Sequence, residues 1–336
     1  MKAAVLHGAG DIRTENIADP ILEAHGIIIQ VKACGVCGSD LHVYKRDGHE
    51  GTIFGHEFSG IVAEVGAKVS GIKTGERVTA VGFRPCGKCF WCKQDKPHRC
   101  SDMALLGYQF PGAMAEYVAV PFAIPSRNVF TLPAELSFED GASVEPFSIS
   151  LFSVKRAQPG DKDTAAVLGA GVIGLNAIQI LKSMGVQRVL ATGHRTSRLE
   201  AARACGADVV VDATKENVLQ KIMKATSGMG VDIVVECAGT KETFDQSVEI
   251  TRGGGKVMLV GVYEQPLTWD PLKAMAKNLT LIGCLGGNFP ASIELLQSGK
   301  VSTRPFITHR FPLDRAAEAF RVQLQSQDAI KVMIKP

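Results

Sequence analysis

From Thr164 to Ile282 the chain alternates short apolar runs with stretches whose apolar residues recur at helical spacing. Six runs have strand composition: Thr164 to Leu168, Arg188 to Thr192, Val209 to Val211, Asp232 to Glu236, Lys256 to Val260 and Leu279 to Ile282. Helical patterns, such as Gly171 to Met184 and the stretch from Ser197, separate most of them. Few folds accept this alternation. It predicts an α/β architecture with a doubly wound parallel sheet covered on both faces.

The first strand runs into Gly169-Ala170-Gly171-Val172-Ile173-Gly174, and a helix opens there. A glycine string of this kind is informative only in that strand-to-helix context. Gly169 permits a tight turn, Gly171 lets backbone approach a pyrophosphate, and Gly174 lets helix pack on strand. The amides of Val172 and Ile173, at the helix N-terminus, face an anion. The second strand ends Ala191-Thr192-Gly193-His194-Arg195-Thr196-Ser197-Arg198. An acid that would hold the ribose hydroxyl of NAD is expected where Gly193 stands. Arg195 and Arg198 suit a phosphate instead. The segment Gly193, His194, Arg195 and Arg198 therefore predicts NADP, with NAD as the alternative.

Residues 1 to about 150 read differently. Ile27 to Val31, Ser59 to Gly66 and Glu116 to Val120 are strand-like runs broken by Gly, Pro and Asp, as in a compact β-rich domain. Within it lie Cys37-Gly38-Ser39-Asp40-Leu41-His42 and Gly55-His56-Glu57. A thiol, an imidazole and a carboxylate are the ligand types zinc prefers, and three protein ligands leave a fourth position for water or substrate. Cys37, His56 and Glu57 are thus candidates for a catalytic metal. Cys86, Cys89, Cys92 and Cys100 have the spacing of a closed four-thiolate zinc site. The lobe from about Arg84 to Asp102 is expected to be ordered only with metal bound. Cys34 and Cys37 also form a Cys-x-x-Cys, but His56 and Glu57 give Cys37 a better role than a redox pair. Glu145 lies in the apolar stretch Gly141-Ala142-Ser143-Val144-Glu145-Pro146, where a carboxylate needs a reason.

The totals exclude several classes. A net charge of +3 with no basic run argues against nucleic acid, and no stretch reaches membrane-spanning length. The opening residues are too short an apolar run for a signal peptide. Six of the nine cysteines sit in two compact groups, which favours metal binding under reducing conditions. A cytoplasmic location is expected. Cys205, Cys237 and Cys284 read as core residues.

Together, Cys37, the Gly55-His56-Glu57 triplet, the four-cysteine lobe and the glycine loop resemble a zinc-dependent medium-chain dehydrogenase/reductase, of the sorbitol, butanediol and threonine dehydrogenase branch. The resemblance spans essentially the whole chain. It implies a GroES-like β-rich catalytic domain at residues 1–153, completed by 288–336, and a Rossmann domain at 154–287, with the active site in the cleft. It implies two Zn2+ per chain, one catalytic and one structural. Glu57 matches an acid that binds the metal in some members and stands behind it in others. Glu145 matches a residue that binds or releases zinc. Ser39 matches the hydroxyl beside the substrate oxygen, His42 the outer end of a proton relay, and Asp40 a partner that orients His56. Sorbitol dehydrogenases carry an Arg-Tyr pair where this chain has Leu285-Gly286-Gly287-Asn288, which disfavours a heavily hydroxylated or phosphorylated substrate. The resemblance implies a small alcohol or ketone substrate and a homo-oligomer, tetramer or dimer. Threonine oxidation, an NAD-dependent polyol dehydrogenase and a non-catalytic NADPH-binding protein of the crystallin type are the rival readings. Zinc-free quinone reductases of the same fold lack the Cys37, His56 and Glu57 set.

Overall fold

A computed structural model describes residues 1–94, 96 and 99–336. Asp95, Pro97 and His98, part of the lobe expected between Arg84 and Asp102, lie outside the described residues. The chain forms two compact units. One comprises Met1–Glu145, Phe289–Gln297 and Ile307–Pro336, and the other Pro146–Asn288 with Ser298–Phe306.

The first unit is built on a seven-stranded sheet. Its order is Ile307–Pro312, Lys331–Lys335, Ile27–Gly35, Glu57–Val65, Arg77–Ala80, Val129–Thr131, with Tyr117–Val120 also paired to Ile27–Gly35. Alternation decides which face of the central strand is inside: Ile27, Ile29 and Val31 enter one core cluster with Phe54, Phe58, Val62 and Phe320. Phe320, on the helix Ala316–Gln325, packs on Phe54 at 5.6 Å and Tyr44 at 5.0 Å between ring centroids. Truncating such a fully buried ring costs about 3–5 kcal/mol. That helix also covers the strand carrying Lys331, since Gln323 bonds Ile330 and Val332. The C-terminal strand pairs with the central one through Met333 opposite Gly35 and Ile334 opposite Cys34.

The second unit is a six-stranded, wholly parallel sheet in the order Val209–Asp212, Arg188–Gly193, Thr164–Leu168, Val231–Glu236, Thr251–Leu259, Thr280–Gly283. Ala165 to Leu168 are fully buried, as unbroken apolar runs are when helices cover both faces. The order of strands reverses between Thr164–Leu168 and Val231–Glu236. Ser298–Phe306 joins this unit because Gln179 and Ser302 exchange two hydrogen bonds, at 3.1 and 3.0 Å. Among the described residues, no helix is long and apolar enough to cross a membrane.

Candidate active site

Cys37 follows the strand Ile27–Gly35 and caps the helix Gly38–Tyr44. Its amide donates to Asp40 Oδ2 at 3.0 Å, which fixes the turn. The Ser39 hydroxyl donates to Cys37 Sγ at 3.2 Å. His56 stands just before the neighbouring strand Glu57–Val65, which Glu57 opens, paired so that Glu57 stands opposite Gly35. Gly55, at φ +106°, makes the bend before them, and a Cβ there would lie 2.6 Å from Cys34 Sγ and 2.9 Å from the Met114 amide. Only glycine fits.

Register and bend bring one ligand atom each of Cys37, His56 and Glu57 within 4.8 Å of one another. Burial matters here. Asp40 is fully buried and Glu57 nearly so. Burial disfavours a charged His56, but the Cys37 and Asp40 charges outweigh it and hold the imidazole well above its ordinary range. Burial raises Asp40, opposed by His56. Asp40 Oδ1 lies 3.5 Å from His56 Nδ1, which leaves Nε2 for a metal. A sulfur, a nitrogen and an oxygen converging beside the buried Asp40 fit a zinc ion. Glu145 is not in this trio. It lies inside the helix Phe138–Ala157, where burial pushes its carboxyl up to about 7, with His56 opposing and Glu57 adding to the rise. His42 occupies the last turn of the Gly38–Tyr44 helix.

Cys86, Cys89, Cys92 and Cys100 also converge, with all four sulfurs within 4.8 Å of one another. The Cys86 amide donates to Cys100 Sγ at 3.2 Å and the Cys89 amide to Cys86 Sγ at 3.4 Å. Amides of Cys92 and Ser101 lower Cys89 to about 6, while desolvation and the neighbouring sulfurs push Cys92 up to about 12. One thiolate forms readily and makes the next harder. A dication removes that conflict, so this set also fits zinc.

In the second unit Gly169 turns at φ +102°, and Gly171 caps the helix Val172–Ser183 without a side-chain partner. A Cβ on Gly174 would strike the Gly169 carbonyl, so the helix sits tight on the strand. Gly193 ends its strand, where a Cβ would meet Ala170 and Leu199 at 3.2 Å. The acid aligned with it on the next strand is Asp212, whose carboxylate already accepts from the Thr214 hydroxyl at 2.6 Å and pairs with Lys215 at 3.1 Å. Arg195 caps the helix Thr196–Ala204. Arg198 Nη1 comes within 3.9 Å of the Cβ position of Gly171, and burial, then the Arg195 charge, lower its guanidinium to about 10. A guanidinium beside the glycine loop, with the Arg195 charge acting on it, suits an anion. The His194 backbone lies between Gly193 and Arg195.

Residues 23–133 match the alcohol dehydrogenase GroES-like domain and residues 172–298 the zinc-binding dehydrogenase domain. The L-threonine 3-dehydrogenase of Bacillus subtilis (strain 168) is 34% identical over 97% of this chain and 95% of that one. The sorbitol dehydrogenase of the same organism is 32% identical over 100% of this chain and 97% of that one. The chain belongs to the zinc-dependent medium-chain dehydrogenase/reductase family. A putative zinc-binding dehydrogenase from Sinorhizobium meliloti 1021, solved bound to NADP, superposes with a TM-score of 0.91 at 29% identity, covering 100% of this chain and 99% of that one.

Two further groups at the candidate site of this dehydrogenase escape a motif reading. Lys331, on the C-terminal strand and only 4% exposed, forms an ion pair with Glu57 Oε2 and donates to the Val36 carbonyl at 2.9 Å. Burial opposes its charge, but Glu57 and Cys37 outweigh that and raise it. The one available signal was a lysine inside the apolar run Ala329-Ile330-Lys331-Val332-Met333-Ile334. Tyr108 lies with its ring 6.1 Å from that of His56. Burial and then the Asp40 charge raise its phenol, while a hydrogen bond with Ser39 pulls the other way. Nothing in its local sequence marked it.

Proposed function

We propose that the chain oxidises a secondary alcohol to a ketone, or runs the reverse, with NADP(H) as partner. The convergence of one sulfur, one nitrogen and one oxygen from Cys37, His56 and Glu57 within 4.8 Å carries this reading. Cys37, His56 and Glu57 bind the catalytic zinc, Asp40 orients His56, and Lys331 fixes the outer oxygen of Glu57. Zinc in such a site acts as a Lewis acid that lowers the pKa of a substrate hydroxyl, and the nicotinamide takes the hydride. Ser39 receives the hydroxyl proton and passes it towards His42 and solvent. Glu145, half-buried in the helix Phe138–Ala157 with its carboxyl raised to about 7, would be a further oxygen ligand available to that metal. Cys86, Cys89, Cys92 and Cys100 hold a second zinc that shapes the lobe. Gly169, Gly171, Val172, Ile173 and Gly174 carry the pyrophosphate.

NADP is favoured over NAD because Gly193 offers no acid, Asp212 is engaged, and the guanidinium groups of Arg195 and Arg198 suit a 2′-phosphate. The apolar Leu285-Gly286-Gly287 run supports a small diol over a sugar alcohol. A panel of 2,3-butanediol, sorbitol and threonine with each cofactor tests the reading. The diol with NADP is expected to give the highest kcat/KM, and Arg195→Ala is expected to raise KM for NADP about tenfold while leaving NAD unchanged. Faster turnover with NAD, or no alcohol-dependent turnover at all, would refute it.

A further inference from the structure

Four donors converge on one buried carboxylate in the second unit, and none of the chemistry above uses it. Glu236 is the last residue of the strand Val231–Glu236 and is fully buried. Its Oε1 accepts from the amides of Ala238 at 2.8 Å and Gly239 at 2.9 Å, and from the Thr243 hydroxyl at 2.8 Å. Its Oε2 accepts from the Tyr263 hydroxyl at 2.6 Å. A carboxylate this deep is tolerated only when such donors replace its lost water. Ala238 and Gly239 belong to the turn after its own strand. Tyr263 belongs to the turn after the neighbouring strand, Thr251–Leu259.

These turns close on one another. Gly239 sits at φ +69°, with its Cβ position 2.7 Å from the Val262 carbonyl carbon. A Cβ on Gly261 would stand 2.8 Å from Glu236 Oε2. On the other side, the Gly169 Cβ position lies 3.1 Å from the Ala238 amide nitrogen. The glycine-rich loop, the 237–239 turn and the 260–263 turn therefore meet above Glu236. All three lie at the carboxyl ends of strands, where the sheet order reverses, which is where open α/β sheets take ligands.

The sheet order also says which part of a dinucleotide they face. Gly193 and the arginines lie one strand to one side of the glycine loop and serve the adenosine end. Glu236 ends a strand on the opposite side, and Tyr263 lies in the turn after the strand beyond it. We propose that Glu236 and Tyr263 form a positioning pair for the nicotinamide half of the dinucleotide, locking the 237–239 and 260–263 turns in the shape that receives it. This rests on the nicotinamide cofactor assigned above. Burial, then the hydrogen bond to Glu236, raise the Tyr263 phenol, so it stays a donor at working pH. Its ring also packs edge-on to Phe244 at 6.3 Å, a contact that Tyr263→Phe keeps.

The test titrates full-length wild type and Tyr263→Phe, zinc-loaded, with NADPH and with 2′-phospho-ADP-ribose, which lacks the nicotinamide. Losing one hydrogen bond to a buried charge should raise the NADPH Kd about tenfold. The fragment should bind both proteins equally, which also shows that the variant is folded. Glu236→Gln should show the same split. Equal losses for dinucleotide and fragment would mean a merely structural bond and overturn the pair, as would no loss in either. Wild type that binds the fragment but gains nothing from the nicotinamide would overturn it too. Wild type that binds neither NADPH nor NADH would sink the cofactor assignment itself.

Discussion

The two clusters of side chains that could hold a metal are built from different materials. The Cys86, Cys89, Cys92 and Cys100 set is contiguous in sequence, all sulfur, and half-exposed. Local turns and their amides assemble it, and four thiolates would leave a tetrahedral metal no position free. The Cys37, His56 and Glu57 set is mixed and deeper, and it is backed by Asp40 and Lys331, which reach it from a helix and from the far end of the chain. A closed site needs only its own loop. An open one must have its geometry imposed from outside, because the missing ligand no longer helps to fix it.

That contrast can be broken by experiment. Cys37→Ala or His56→Ala should lower turnover by on the order of a thousandfold or more, since each removes a ligand at the reacting position. Steady-state assays read this, and near-normal rates would end the distinction. Lys331→Met should cost about 10–100-fold in kcat/KM while leaving zinc content intact, as loss of an outer partner does at metal sites. An unchanged kcat/KM would make Lys331 a bystander. Cys100→Ser should instead lower the melting temperature by roughly 2–8 °C, read by calorimetry, while zinc remains at the Cys37 site. Loss of both metals together would show that the clusters are not independent.

The smallest effect sharpens the contrast from outside both clusters. Glu139 bonds Arg310 at 2.8 Å and Lys335 at 2.7 Å. Its hydrogen bonds to Arg310, followed by those to Lys335 against opposing burial, lower its carboxyl from 4.5 to about 2. A depressed carboxylate contributes stability that is complete above its unfolded pKa and disappears as pH falls through the folded one. Glu139→Gln should therefore flatten the loss of stability between about pH 4.5 and pH 2 and leave kcat at neutral pH untouched. Acid titration of unfolding, followed by circular dichroism, checks both.

The same contrast explains what could be read from the sequence. The parallel sheet was legible because strand and helix periods alternate from Thr164 onward and a glycine loop sits between the first pair. The four-cysteine cluster was legible because its cysteines are neighbours in sequence. Cys37, His56 and Glu57 could be grouped because Gly55 and the strand after it keep them within one hairpin-sized segment. Lys331 could not, because sheet pairing of Met333 with Gly35 delivers it across nearly the whole chain. Tyr108 comes from an irregular loop whose path depends on packing. The hairpin of Lys2–Gly8 with Asp11–Asn16 was equally hidden, since a charged second strand shows little apolar alternation.

The most direct test counts zinc per chain by elemental analysis in purified wild type and in His56→Ala. The account predicts two ions in the first and one in the second, with the remaining ion held by the four cysteines. Equal metal content in the two proteins would contradict it.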